Sequence, residues 1–523
     1  MARMETVSIP SNRPLSGKMI RNVAFGGLRS LLVLPVPFLL TPLILREIGT
    51  AGYGTWAVFL AINGMTSLAD LGLVGALSKF VAEHHVRRDH LALSRLLNTS
   101  LVVFGILSLA LVSILWVGTP LLVALLFRGS SIPIPALAIL FRYFLVVVGA
   151  NVFILLFSSV TTGLQRLDLT NIMSAFNTLC AAAVGALLLL RGWGLRGLLC
   201  GQVCAVVLTL MAYFLLVRRL LPQVKWNPSR FDAREARHIF SFSLRLYFTQ
   251  VAVAVHNNIE KLLLAFFVGV SAAGWYDIAN EVALRIRGTV GLVLSPVMPA
   301  ASELGTLRDG RRLEELYYRA HKYLAFIGVP TVCFVAVVSA RFMDLWIGPS
   351  LGIVALPLSV LVFANFLNLV TGPGFLIFAG NGNLGPGMRS AALGIALNVL
   401  VSFLLIRQFG LTGAVAGTLI ALGIASFYFM YLFHKETGHL VGRLLRESYL
   451  RPTMWSIALA VGMFLFCPAS GVSWVSLGIQ GLLFGAIYAL GLLFSRFFDE
   501  YDWSKFESVA PMIRHARRIV PIA

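Results

Sequence analysis

Long apolar stretches, separated by short polar or basic segments, recur along nearly the whole chain. An α-helix rises about 1.5 Å per residue, so roughly 20 apolar residues cross the ~30 Å hydrocarbon core of a bilayer. Stretches of that length lie near residues 22–45, 54–82, 97–127, 136–160, 169–190, 197–217 and 241–268. They continue at 273–301, 323–347, 352–379, 388–406, 411–433, 452–467 and 474–494. The pattern predicts an all-α polytopic membrane protein with about 14 transmembrane helices. Composition agrees, because 58% of residues are hydrophobic and only 12% are charged, too few charges to cover a soluble surface of this size. No stretch remains for a soluble catalytic domain.

Met1 to Arg21 is polar and basic, without a short apolar run and cleavage site, which predicts an uncleaved first span. The cysteines (Cys180, Cys200, Cys204, Cys333 and Cys467) lie in apolar segments, with neither metal-ligand spacing nor a disulfide framework. They are expected to pack as small hydrophobes. The net charge of +20 would suggest a nucleic-acid partner in a soluble protein. Here it sorts by loop instead, and no nucleic acid is expected. The N-terminus, alternate loops at 83–96, 218–240, 302–322 and 434–451, the short turns at Arg166 and Arg389, and the tail together carry 29 Lys and Arg. The opposite loops carry 5: Arg46, Arg128, Arg191, Arg196 and Arg407. Positive charge is retained on the cytoplasmic side, so both termini are expected there and the number of spans is expected to be even.

The chain also repeats itself weakly. Leu190-Arg191-Gly192-Trp193-Gly194-Leu195-Arg196-Gly197, then Gly201, matches Ile406-Arg407-Gln408-Phe409-Gly410-Leu411-Thr412-Gly413, then Gly417. Gly49 and Gly54 match Gly269 and Gly274; Ala175-Phe176-Asn177 matches Ala396-Leu397-Asn398; Leu28-Arg29 matches Leu244-Arg245. Repeats in the same order predict two six-helix lobes related by an axis along the membrane normal. The expected division is an N-lobe at 1–221, a cytoplasmic linker at 222–240, a C-lobe at 241–434, and an extra helix pair with a basic tail at 435–523. The GxxxG spacings Gly197–Gly201 and Gly413–Gly417 predict close helix packing. Pro35, Pro37 and Pro42 predict a bent first span, and Pro296 with Pro299 a break in the eighth.

Ionisable side chains inside a span are costly unless paired or wet, which makes each a candidate for function. Arg29 and Arg245 occupy matching places in the first and seventh spans, where paired guanidiniums would grip a phosphate or pyrophosphate. Snorkelling to the interface is the alternative. His256, Glu260 and Lys261 fall in the seventh span, and Asp277, Glu281 and Arg285 follow at i, i+4 and i+8 in the eighth, with Arg287 nearby. Arg285 and Arg287 are further candidates for substrate binding. Asp70, Glu260, Asp277, Glu281 and His256 are candidates for ion coupling or for a structural charge network. No P-loop, metal-binding His pair or nucleophile elbow is present, so neither a cofactor, a metal nor a catalytic residue is expected.

Gly49-Thr50-Ala51-Gly52-Tyr53-Gly54-Thr55-Trp56, Leu68-Ala69-Asp70-Leu71-Gly72-Leu73 and Lys79-Phe80-Val81-Ala82-Glu83 resemble the start of Wzx-type polysaccharide-unit flippases. Pro296-Val297-Met298-Pro299-Ala300-Ala301-Ser302 is similar to that family too. The family sits in the multidrug/oligosaccharidyl-lipid/polysaccharide exporter superfamily. The resemblance implies a flippase in the bacterial inner membrane, not an enzyme, moving a polyprenyl-pyrophosphate-linked oligosaccharide outward by alternating access. It also implies cavity arginines on the pyrophosphate, contact with membrane lipids, and H+ or Na+ as a coupling ion. A glycan polymerase and glycosyltransferases would be partners. A lipid II-type flippase or multidrug antiporter of the same fold is the nearest alternative, and a membrane polysaccharide polymerase or ligase the one from another class. The short outer loops disfavour the last.

Overall fold

The apolar stretches form helices, and the glycines and prolines decide where these stop. The computed structural model describes residues 32–68, 71–227, 231–467 and 473–509; among them there are helices and no strand. The principal helices are α1 (Pro35–Gly64), α2 (Leu73–Val86), α3 (His90–Leu126), α4 (Ile134–Gly163), α5 (Leu167–Leu188) and α6 (Gly194–Leu220). They continue as α7 (Ala233–Phe267), α8 (Val270–Gly291), α9 (Val297–Thr306), α10 (Gly310–Ile347) and α11 (Ala355–Val370). The last are α12 (Gly372–Gly380), α13 (Gly385–Thr437), α14 (Leu450–Phe466), α15 (Trp474–Phe494) and α16 (Glu500–Val509). Nine helical segments among the described residues are long and apolar enough to cross a bilayer. The chain is a multi-pass helical membrane protein.

Two of those nine segments run 54 residues (167–220) and 53 residues (385–437), far more than the roughly 20 needed for one crossing. Each folds back on itself at positive-φ glycines, Gly192 (φ 81°) and Gly194 (φ 54°) in the first and Gly410 (φ 57°) in the second. These are conformations that residues with a Cβ rarely adopt. In the first hairpin a Cβ at Gly201 would press on the Gly185 backbone, so the arms touch main chain to main chain. In the second, Ser390 Oγ donates to the Ala425 carbonyl at 2.7 Å across the arms.

Elsewhere helices break where one span was expected. Between α1 and α2 the chain passes through a 3₁₀ turn at Met65–Leu68 and positive φ at Leu71 and Gly72. A Cβ at Gly72 would overlap the Ser243 carbonyl, so the expected 54–82 span is divided where another backbone approaches. The eighth span breaks after Gly291 and resumes at Val297, the place Pro296 marks. In the first span the helix is interrupted at Leu34, directly before Pro35, and then runs through Pro37 and Pro42.

Backbone contacts divide the described residues into two compact units. The first takes those up to Gly49, 62–124 and 132–254. Its core is apolar, built on Leu73, Leu77, Leu97, Phe104, Leu156 and Tyr213. Asn98, fully buried, donates to the Lys225 carbonyl at 2.8 Å and accepts from the Asn227 N–H at 2.9 Å, which holds the polar segment after Pro222 against α3. The second unit takes 50–61, 125–131 and the chain from Val255 onward. Tyr317, Leu324, Phe378 and Phe433 form its main core, and α14 to α16 add a smaller one around Tyr488, Leu492 and Trp503.

The repeat recurs in a turn of each unit. After α2, Arg88 has φ 56° and the Asp89 carboxylate caps α3 through the Ala92 N–H at 2.9 Å. After α9, Arg308 has φ 52° and Asp309 caps α10 through the Arg312 N–H at 3.0 Å. An Asp at the N-cap satisfies one helix-end donor. In solution it also keeps the Asp89 carboxyl below its ordinary value, through the Ala92 bond.

Candidate functional site

Glu260 and Lys261 are neighbours on α7, so their side chains leave the helix about 100° apart and meet different partners. Lys261 Nζ lies 2.7 Å from Asp277 Oδ1 on α8. The other carboxylate oxygen, Oδ2, accepts from the Tyr53 hydroxyl at 2.9 Å, so both oxygens of Asp277 are engaged. All three residues are buried. Glu260, 1% exposed, faces α13 instead. Its Oε1 accepts from Asn398 Nδ2 at 2.5 Å and Thr418 Oγ1 at 3.2 Å, and Tyr276 OH lies 3.1 Å from the same threonine. No Lys or Arg pairs with Glu260 among the described residues. A buried carboxylate held by amide and hydroxyl groups alone is an unusual occupant of a membrane protein interior.

Asp277, Glu281 and Arg285, at i, i+4 and i+8, meet different partners, since each i,i+4 step turns about 40° around the helix. Asp277 pairs with Lys261, while Arg285 Nη2 bonds the half-exposed Glu281 at 2.9 Å. Arg287 leaves on another face and donates to the side-chain oxygens of Asn365 at 3.3 Å and Asn368 at 2.7 Å on α11. Its charge is held by two amides and no carboxylate among the described residues.

Two glycines allow the tyrosine to reach this cluster. A Cβ on Gly274 would lie 2.9 Å from the Gly54 Cα, and one on Gly54 would overlap the Val270 carbonyl. The Thr50–Ala61 stretch of α1 therefore packs backbone to backbone on α8, which brings Tyr53 alongside Asp277. Two oxygens near Glu260 are left over. Asn398 Oδ1 and Ser402 Oγ are buried and have no hydrogen-bond partner among the described residues. They sit one turn apart on α13, and Ser402 lies against Gly417, next to Thr418.

Of the residues singled out from sequence, the structure brings Glu260 and Asp277 into buried clusters and pairs Glu281 with Arg285. Arg29 and Asp70 lie outside the described residues. Arg245 and His256 are on α7, and their side chains lie outside the described residues as well. Sequence reasoning passed over Tyr53, Asn398, Thr418, Asn365 and Asn368. Asn398 and Tyr53 stood in the repeat and the glycine motif, but nothing there distinguished a cluster member from a packing residue.

Known proteins resemble the chain over much of its length. It is 21% identical over 308 residues to an uncharacterised membrane protein of Methanocaldococcus jannaschii, covering 57% of this chain and 58% of that one. It thus spans under two thirds of that relative. A Shigella flexneri protein named as an O-antigen transporter is 19% identical over 376 residues, covering 71% of this chain and 86% of that one. A solved structure of the lipid II flippase MurJ, in an inward closed conformation, shares the fold with a TM-score of 0.74. Its identity is 15%, with 90% of this chain and 98% of that one covered. Residues 19–304, more than half of the chain, match the family described as polysaccharide biosynthesis protein, and the chain belongs to that family, as its Wzx-type motifs implied.

Proposed function

We propose that this protein is a flippase that carries a polyprenyl-pyrophosphate-linked oligosaccharide across the bacterial cytoplasmic membrane, and is not an enzyme. The observation that carries the reading is the buried charge of Glu260, Lys261 and Asp277 in a multi-pass member of a polysaccharide biosynthesis family. Buried charge of this kind is costly in a bilayer and characteristic of transport paths. The relative named as an O-antigen transporter supports the same substrate class. In this reading the chain makes fourteen passages with both termini cytoplasmic, following the distribution of its basic loops. The lobes rock as 1–221 and 241–434, joined by 222–240, with 435–523 as an added helix pair and tail.

Arg29 and Arg245 hold the pyrophosphate, with Arg285 and Arg287 supporting the acidic headgroup. Glu260 is the coupling residue and takes up Na+ or H+, a role that fits the two oxygens on its α13 neighbours that have no partner among the described residues. Asp277 balances Lys261; Asp70, Glu281 and His256 are secondary positions for charge exchange. A glycan polymerase and glycosyltransferases act before and after the step. The test is a reconstituted assay that follows a fluorescent prenyl-pyrophosphate sugar between leaflets. Wild type is expected to equilibrate the probe, R29A and R245A to fail while still inserting, and E260Q to lose dependence on Na+ or pH. A folded wild-type protein that leaves the probe in its original leaflet would remove the reading.

A further inference from the structure

A second charged site lies on other elements of the second unit. The first turns of α10, the 441–449 stretch, the start of α14 and the end of α15 enclose a cavity of about 700 Å³. Its lining holds seven Lys and Arg against four carboxylates, and every one of those carboxylates already has a partner. Glu315 lies 2.8 Å from Arg319. Asp499 lies 3.2 Å from Arg319 and 3.4 Å from Lys322. Glu314 and Glu447 lie 3.0 and 3.1 Å from Arg443. Once these pairs are set aside, Arg311, Arg446, Arg451 and Arg496 remain around the cavity with no carboxylate partner among the described residues, and all four are exposed.

Their convergence is built in. Arg451 Nη1 donates to the Arg496 carbonyl at 2.5 Å, which ties the start of α14 to the end of α15. Arg496 itself sits at φ 54°, a left-handed turn that a residue with a Cβ adopts at a cost. Four guanidiniums lining one cavity without a carboxylate partner among the described residues favour an anion between them, and guanidinium groups match the oxygens of a phosphate.

We propose that this cavity binds the phosphodiester headgroup of an anionic phospholipid, whose acyl chains lie along α14. The second observation is the outward face of α14. Leu450 (51% exposed), Met454 (63%), Ile457 (51%), Val461 (52%) and Phe464 (72%) recur at helical spacing, so an unbroken apolar stripe starts beside Arg451 and leads away from the cavity. A soluble phosphate has no use for that stripe; a lipid uses both parts. The cavity also lies in the set of loops that carries the excess of Lys and Arg, the side on which anionic headgroups attract such residues. The bound lipid fastens the helix pair α14–α15, which lies outside the internal repeat, to α10. The inference stands apart from the flippase reading and uses none of its residues.

The test uses the full-length protein, purified in mild detergent and stripped of lipid. Dioleoyl phosphatidylglycerol, dioleoyl phosphatidylcholine, and glycerol phosphate as the free headgroup ester are titrated separately, and native mass spectrometry and thermal unfolding are read. Phosphatidylglycerol is expected to bind and raise the unfolding midpoint, while the neutral lipid and the soluble ester do neither. The double variant R446A/R496A is expected to lower affinity for phosphatidylglycerol roughly tenfold or more. R308A/R312A, on the same basic end but outside the cavity, should leave it unchanged. If the double variant does not fold, R311A in the first turn of α10 provides the same reading with a smaller loss. Equal affinity in R446A/R496A, R311A and wild type overturns the site. Equal loss in R308A/R312A replaces it with general surface charge, and equal protection by glycerol phosphate overturns the lipid as occupant.

Discussion

The helical hairpins 167–220 and 385–437 share one plan and support different chemistry. Both fold back at positive-φ glycines and both bring a glycine against the opposing arm, yet their matched asparagines do unlike things. Asn177 donates to the Thr209 hydroxyl at 3.1 Å within its own hairpin. Asn398 donates to the Glu260 carboxylate on another helix. The difference extends to the units that contain them. Among the described residues, the first unit satisfies its buried polar groups mainly with backbone carbonyls, hydroxyls and amides, as at Asn98, and its buried carboxylate Asp168 pairs locally with Arg166 at 3.1 Å. In the second, the buried Glu260, Lys261 and Asp277 meet partners on other helices. A duplicated scaffold can therefore keep its glycines and apolar faces in both copies while, among the described residues, only the second uses buried charge to join helices far apart in sequence.

The strongest way to break this comparison is to remove one member of the ion pair. Asp277→Ala leaves the Lys261 ammonium buried without its counter-charge and is expected to cost about 3–5 kcal/mol. Asn98→Leu in the first unit should cost only ~1–3 kcal/mol, the penalty for unsatisfied neutral groups. Thermal unfolding in detergent would order the two, and an equal loss would mean that the Lys261–Asp277 pair carries no special weight. The double variant K261M/D277L should recover most of the stability, since a well-packed apolar pair often replaces a buried salt bridge without loss.

A smaller contrast separates the asparagines. Asn398→Leu removes a hydrogen bond to a charged group and should cost roughly 1.5–3 kcal/mol, against about 1 kcal/mol for Asn177→Leu. Urea or thermal midpoints of the two variants measure this directly, and matching midpoints would place Glu260 outside any strong interaction with α13. The glycines sharpen the comparison further. A Cβ on Gly201 meets the Gly185 backbone at 2.6 and 2.8 Å, whereas one on Gly417 meets the Ser402 hydroxyl at 2.6 Å and the Ser402 backbone at 3.0 and 3.2 Å. The hydroxyl can rotate away and the backbone in the second hairpin lies farther off, so Gly201→Ala should be the more destabilising by about 1 kcal/mol. The reverse order in thermal unfolding would show that the second hairpin is the tighter one.

The smallest effect concerns the end of the chain. Burial alone would raise the Asp499 carboxyl, but the Asp502 N–H at 3.0 Å, Lys322 and Arg319 outweigh it and hold the group below its ordinary 3.8. The stability this adds is present above pH 3.8 and is lost as pH falls through the lower folded-state value. Because Asp499 is half exposed, the contribution is under about 1 kcal/mol. Fluorescence of the buried Trp503 should be flat from pH 7 to 5 and change only below about pH 4, with the acid-dependent part absent in D499N. A transition near neutral pH would assign the docking of α16 to another group.

Much of the scaffold was legible from local pattern. The apolar stretches, the fold-back glycines at 192–194 and 410, and the break at Pro296 all act within a few residues of where they stand. The division between α1 and α2 was not legible, because it depends on the Ser243 carbonyl lying against Gly72. The site was legible in part. Glu260 and Asp277 stood out because charge is rare in such segments, but the i, i+4, i+8 spacing of Asp277, Glu281 and Arg285 did not record that Asp277 pairs with Lys261 on α7 while Arg285 pairs with Glu281. Asn365 and Asn368, which receive Arg287, look in sequence like any polar residue in an apolar helix.

Sequence alone determined that this chain is helical, crosses a membrane repeatedly, repeats itself weakly in order, and belongs to a family of polysaccharide biosynthesis proteins. Those properties follow from segment length, charge placement and short motifs, which a bilayer and a family resemblance make readable one stretch at a time. Only the tertiary structure decided which buried groups meet. Tyr53 reaches Asp277 across 224 residues, and Asn398 reaches Glu260 across 138. Hydrogen bonds and ion pairs act over about 3 Å, and no pattern along the chain records which distant helices come that close.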